Sequence, residues 1–152
     1  MDVSADLDAP CRAHELFDWV RDLDRYPSWL DIVIRAEPAP ALGDDPGPAW
    51  SVDLRGRLGP LARSKRLRMV RTADEGPHRA VFERREGDGR SHSVWVLRAD
   101  VAESQAGSRL TMHLHYGGAL WGPVLERLLG DEIGRSRTRL LACVAGAERP
   151  QG

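Results

Sequence analysis

The feature that most narrows what this chain can fold into is a change in the spacing of its apolar residues just past residue 116. Before that point the period is two. Trp50, Val52 and Leu54 alternate with Ser51, Asp53 and Arg55, and Leu67 and Met69 alternate with Arg66 and Arg68. Ala80, Phe82 and Arg84 share one parity, Trp95, Leu97, Ala99 and Val101 form another row, and Leu110, Met112, Leu114 and Tyr116 form the last. Successive strand residues point to opposite faces, so each run has one apolar side and one largely polar side. After Gly117 and Gly118 the spacing becomes helical, with Val124, Leu125, Leu128, Leu129, Ile133, Leu140, Leu141 and Val144 at intervals of three and four. Pro123 stands at the start of this helix and Gly146 beyond its expected end, which predicts about 20 residues, or roughly 30 Å. A one-sided sheet and a one-sided helix each need cover, and each supplies it for the other.

The connections at 73–78, 86–91 and 103–108 are short and hold Gly with Asp, Ser or Pro. They favour hairpins over crossover helices, so the sheet is antiparallel. Gly56 and Gly59 predict a bulge or bend, with a hairpin tip near Gly59 to Ala62. Earlier in the chain, Val3, Ala5 and Leu7 predict a strand. Asp8 as a cap and Pro10 in a first turn then predict a helix of about three turns, with Ala13, Leu16, Phe17 and Val20 on one face. Pro27 pushes Tyr26 out of helical geometry. Tyr26 and Trp29 pin the following turn against the sheet, or stand at the mouth of a cavity. Residues 36–49, rich in Ala, Pro, Gly and Asp, read as a loop.

The predicted fold class is therefore α+β, a bent antiparallel sheet wrapped around a long C-terminal helix, as one domain over residues 1–152. That length suits one core, and 41% apolar with 30% charged residues suits a globular chain. Met1 to Pro10 carries three aspartates and no basic residue, unlike a secretory signal, and no apolar run is long enough to cross a bilayer. A cytoplasmic location is the default expectation. Cys11 and Cys143 lack metal-site or redox spacing and read as independent thiols.

The opening and the last hairpin carry a resemblance. Asp8-Ala9-Pro10 with Leu16-Phe17, followed by Asp22-Leu23-Asp24-Arg25-Tyr26-Pro27-Ser28-Trp29, resembles the apolar helix, aspartate and Tyr-Pro-x-Trp opening of the START-like helix-grip superfamily. Gly107-Ser108-Arg109-Leu110-Thr111 resembles its Gly-Thr-Arg-apolar-Thr turn and strand, with Ser108 where Thr is commoner. That superfamily holds polyketide cyclase/dehydrase-like SRPBCC proteins and lipid-transfer domains. The resemblance implies a cavity between the concave sheet face and the long helix, filled by a lipid, sterol or polyketide-like compound.

On this reading the inward residues that form a ligand wall are Trp50, Val52 and Leu54, then Leu67, Met69 and Phe82, then Trp95, Leu97, Met112 and Leu114. Leu129 and Ile133 close it from the helix, where Gly134 and Ser136 leave space. Arg84 is the polar candidate, since its parity puts it inside, where a guanidinium needs a carboxylate or a ligand oxygen. The alternative is a bulge or strand end that turns Arg84 to solvent. Tyr26, Tyr116 and Glu132 are the other acid–base candidates. His113 and His115 share one strand face, but the one opposite the apolar row, so they are read as outer-face residues, with His92 a neighbour across a hairpin, and no metal is expected. Dinucleotide, phosphate-loop, Gly-x-Ser-x-Gly and His-Glu-x-x-His patterns are absent, and no cofactor is expected.

Residues 53–71 carry seven basic side chains against Asp53 alone. This segment reads as a solvated sheet face, or as a contact for a membrane surface or protein partner. No motif accompanies it that would point to nucleic acid. Three functions follow: binding or transport of a small hydrophobic ligand, polyketide cyclisation or dehydration, and an accessory role through the basic 55–71 region.

Overall fold

The computed structural model describes residues 1–58, 61–118 and 122–148. One sheet of seven strands organises it: β1 (Asp2–Ala9), β2 (Val33–Ala39), β3 (Ala49–Leu58), β4 (Leu61–Glu75), β5 (Arg79–Arg84), β6 (Trp95–Ser104) and β7 (Gly107–Tyr116). Their order is β1-β7-β6-β5-β4-β3-β2, antiparallel throughout. Strands β2 to β7 form a meander, and β1 returns to the far edge, pairing Asp2 with His115 through to Ala9 with Ser108. A short helix α1 (Ala13–Phe17) and a 3-10 segment (Leu23–Ser28) join β1 to β2, and the long helix α2 (Gly122–Glu148) follows β7.

Several local expectations need correction. Asp8 does not cap a helix. It lies in β1 and pairs with Arg109 across the β1–β7 ladder at 2.9 Å, and α1 starts only at Ala13. Residues 36–39 belong to β2 and are not loop. This edge strand is interrupted by a register shift between Val33 and Arg35, which leaves Ile34 exposed. A bulge and Pro38, which has no N–H to offer, both guard an edge against further pairing. No bulge lies at Gly56, which pairs in register with Arg63, and the second register shift falls between Arg71 and Ala73. The hairpin tip expected at Gly59 to Ala62 falls partly on residues 59 and 60, which lie outside the described residues, though Leu58 pairs with Leu61 on either side. Helix α2 runs to Glu148, through Gly146, where an added Cβ would meet nothing within 4 Å. Exposed glycine weakens a helix without ending it.

The core beneath α1 and the 3-10 segment is aromatic. Tyr26 lies 5.0 Å from Trp29 and 6.3 Å from Phe82, and Phe82 lies edge-on to Trp50 at 5.8 Å. Buried rings with polar ends need partners. Trp29 donates to the Trp19 carbonyl at 3.1 Å, Trp50 to Asp24 at 3.0 Å and Tyr26 to the Val20 carbonyl at 2.9 Å. The Trp50–Asp24 bond ties the 3-10 segment to β3, and the other two hold the segment and its exit to the residues that follow α1. The second half of α2 is strapped down by Arg137 to the Asp8 carbonyl and by Arg139 to Asp31 and the carbonyls of Pro27 and Ser28.

Gly107 opens the last hairpin with φ of 127°, and a Cβ there would lie 2.6 Å from the Ala9 carbonyl oxygen. Only glycine satisfies both the angle and the close approach. The glycine of that turn is thus a packing requirement of the β1 end.

Candidate functional site

Between the concave sheet face and the 3-10 segment lies an apolar cavity of about 80 Å³. Its sheet walls are Val52 and Leu54 from β3, Leu67 and Met69 from β4, Trp95 and Leu97 from β6, and Met112 and Leu114 from β7. Leu23, Tyr26 and Leu30 close it from the 3-10 segment and its exit, and Ile32 and Val33 from the start of β2. These five face the cavity from a stretch that sequence periodicity did not assign to it. Their signal was the Tyr-Pro-x-Trp-Leu run, read as an anchor. Tyr26 is an anchor and a wall at once.

The other predicted wall residues sit elsewhere. Trp50 and Phe82 belong to the aromatic core and do not reach the cavity. Ile133 is buried in the core but is not a cavity wall, and the side chain of Leu129 lies outside the described residues.

Among the four acid–base candidates, only Tyr26 lines the cavity. Its hydroxyl is turned away onto the Val20 carbonyl, and burial, followed by the charge of Asp22, holds the phenol above its usual range. Tyr116 is buried with its ring 4.8 Å from Trp95. Glu132 is buried on α2 with Oε2 3.2 Å from Arg135, while Oε1 has no partner among the described residues; one turn on, the buried Ser136 hydroxyl has none among them either. Arg84 is neither in solvent nor in the cavity. It is half-buried, with its Nε donating to Glu86 at 2.7 Å and Nη1 to Ser93. Arg84 lines a separate polar cleft of about 350 Å³ with Glu86 and Ser93, and Trp95 is a wall of both spaces.

On the convex face, His115 meets Asp2 at 2.9 Å, and His113 meets Ser4 at 2.7 Å and Asp100 at 3.5 Å. His92 is not beside them; it pairs with Asp88 in the loop before β6. Among the described residues no group of three or more His, Cys, Asp or Glu side chains is arranged to hold a metal ion. The basic segment carries less free charge than its composition implies, because Arg66 pairs with Asp53, Arg68 with Asp45 and Arg71 with Asp22.

A family model described as polyketide cyclase / dehydrase and lipid transport matches residues 1–145. The chain belongs to this family. No curated protein matches it in sequence. Solved structures match closely in fold. A START superfamily protein from Mycobacterium smegmatis aligns with TM-score 0.69 at 15% identity, covering 96% of this chain and 98% of its own. TTHA0849 from Thermus thermophilus aligns with TM-score 0.68 at 17% identity over 98% of this chain and 100% of its own. The di-domain ARO/CYC StfQ from the steffimycin biosynthetic pathway aligns with TM-score 0.67 at 12% identity over 96% of this chain, which spans 51% of StfQ. These likenesses show the helix-grip fold. No described helix is long and apolar enough to cross a membrane.

Proposed function

We propose that this family member binds a small hydrophobic molecule in the cavity under its sheet and does not transform it. The observation that carries this reading is the chemistry of the walls. Tyr26 supplies the single hydroxyl among the described walls, and that hydroxyl is committed to Val20. Acid–base catalysis needs a proton donor or acceptor within hydrogen-bond reach of the reacting atom. Arg84, Tyr116 and Glu132 stand outside the described walls.

At about 80 Å³ the cavity is smaller than the roughly 300–1,000 Å³ usual for drug-sized ligands. Short or slender apolar bodies fit this space as it stands. Larger ones must displace Met69 and Met112, whose unbranched thioether chains repack readily. Binding then rests on apolar burial, about 0.8 kcal/mol for each methylene taken out of water.

An uncharged fluorophore, N-phenyl-1-naphthylamine, tests this. Saturable fluorescence enhancement is expected with the wild-type protein, and Leu97→Trp, which fills the cavity from a half-buried wall position, should weaken it at least about tenfold, or 1.4 kcal/mol. No saturable binding, or equal affinity in the filled variant, overturns the proposal.

A further inference from the structure

Along β4 the concave face changes from apolar to basic. Leu67 and Met69 line the cavity, and Lys65, two residues earlier on the same side of the strand, is half-buried directly opposite the cavity wall Leu54. On β5, Arg84 stands directly opposite Met69 and two residues beyond the fully buried Phe82. Directly opposed residues of an antiparallel pair share a face. Lys65 and Arg84 therefore rise from the same concave surface as Leu54 and Met69, at the end of the apolar trough where Trp95 divides it from the polar cleft.

The charges there do not cancel. Glu86 answers Arg84 at 2.7 Å and also accepts from the Arg68 backbone N–H at 3.3 Å. Arg84 spends Nε on Glu86 and Nη1 on Ser93, which leaves Nη2 uncommitted among the described residues. Lys65 has no ion pair among the described residues. Desolvation first, and the nearby Arg84 charge second, lower its pKa, with Glu86 opposing only as the smallest influence. Two cations and one carboxylate leave the mouth one positive charge in excess.

We propose that Lys65 and Arg84 form an anion-holding mouth on this cavity, so that its ligand is a monocarboxylate with an apolar body. This rests on the cavity-binding reading above and adds the head group to it. The carboxylate accepts from the Lys65 ammonium and the open Nη2 of Arg84, charge-assisted bonds that are stronger than neutral ones. A doubly charged phosphate would overshoot the single excess charge, whereas a carboxylate matches it. The apolar body lies past Trp95 against Leu67 and Met69.

Calorimetric titration with two matched pairs, decanoate against decanol and 2-naphthoate against 2-naphthol, tests this at low ionic strength. The acid of at least one pair is expected to bind about tenfold more tightly than its alcohol, and which pair shows it separates a chain-like from a flat aromatic body. Lys65→Gln should erase most of that preference by weakening the acid far more than the alcohol, and Lys65→Arg should restore it. The double variant Arg84→Gln with Glu86→Gln, which removes the pair together and keeps the Lys65 charge, should lower the preference only by the lost Nη2 bond, and so by less than Lys65→Gln does. Unfolding midpoints of each variant confirm a folded state. Equal affinity for acid and alcohol, or an unchanged preference in Lys65→Gln, overturns the head-group inference and leaves the apolar cavity standing. Absence of binding by all four compounds overturns both.

Discussion

Replacing Tyr26 with Phe separates an architectural role for this residue from a chemical one. The hydroxyl is fully buried and donates to the Val20 carbonyl at 2.9 Å. The ring's contacts with Trp29 and Phe82 survive the change. What is lost is one buried hydrogen bond, and what is left is a carbonyl sealed from water. A net bond contributes about 1 kcal/mol and an unpaired buried acceptor costs about 1–3 kcal/mol, so the variant should lose about 1–2 kcal/mol. For a chain of this size that lowers the thermal midpoint by about 3–6 °C. Urea unfolding should show a lower midpoint with an unchanged slope, since the surface exposed on unfolding is the same. The raised pKa adds a second signature. A phenol that holds its proton more tightly when folded stabilises the protein fully below about pH 10, and that contribution is lost as pH rises beyond it. The variant lacks this alkaline loss. N-phenyl-1-naphthylamine should bind the variant within about twofold of wild type, because ring carbons and not the hydroxyl face the cavity. Unchanged stability with weakened binding would show that the hydroxyl serves the ligand and refute the reasoning.

Two further outcomes follow from other groups. Ser136→Ala removes a buried hydroxyl that has no partner among the described residues and improves helix propensity, so the urea midpoint should rise by the equivalent of about 1 kcal/mol; a fall would refute it. Four aspartates have pKa values held below the ordinary range: Asp8 by its bond to Arg109, Asp45 by Arg68, Asp53 by Arg66, and Asp88 by the Arg90 backbone N–H. Their folded pKa values lie below the unfolded ones, so their contribution is present above about pH 4 and is lost as pH falls through the folded values. Urea midpoints should be flat from neutrality to about pH 5 and decline below pH 4, and a midpoint that rises on acidification contradicts this.

The strands from Trp50 to Tyr116 were legible because a sheet covered on one side writes its burial into every second residue. β2 was hidden for the opposite reason. Its bulge at Ile34 breaks the alternation, and its burial runs buried, exposed, exposed, buried. The cavity walls followed the same division. Eight sheet residues were placed by parity, whereas Leu23, Leu30 and Ile32 come from a segment with no period at all. Arg84 shows how far parity reaches. Its face was readable from Phe82, but its partner Glu86 lies past the strand end, where the loop's own path decides contact.

The pairing of β1 with β7 carries a consequence for how the chain is made. Asp2 must find His115, so β1, once it leaves the ribosome, waits for more than a hundred further residues before its neighbour exists. Contacts so distant along the chain make folding slow, because loop-closure entropy is paid first. During that wait the trough of Leu54, Leu67, Met69 and Leu97 is already translated, while α2 is still to come. At about 5–20 residues per second, the nascent chain displays an uncovered apolar surface for several seconds. That interval is when a holding chaperone would bind the nascent chain, or a neighbouring polysome's product would stick to it.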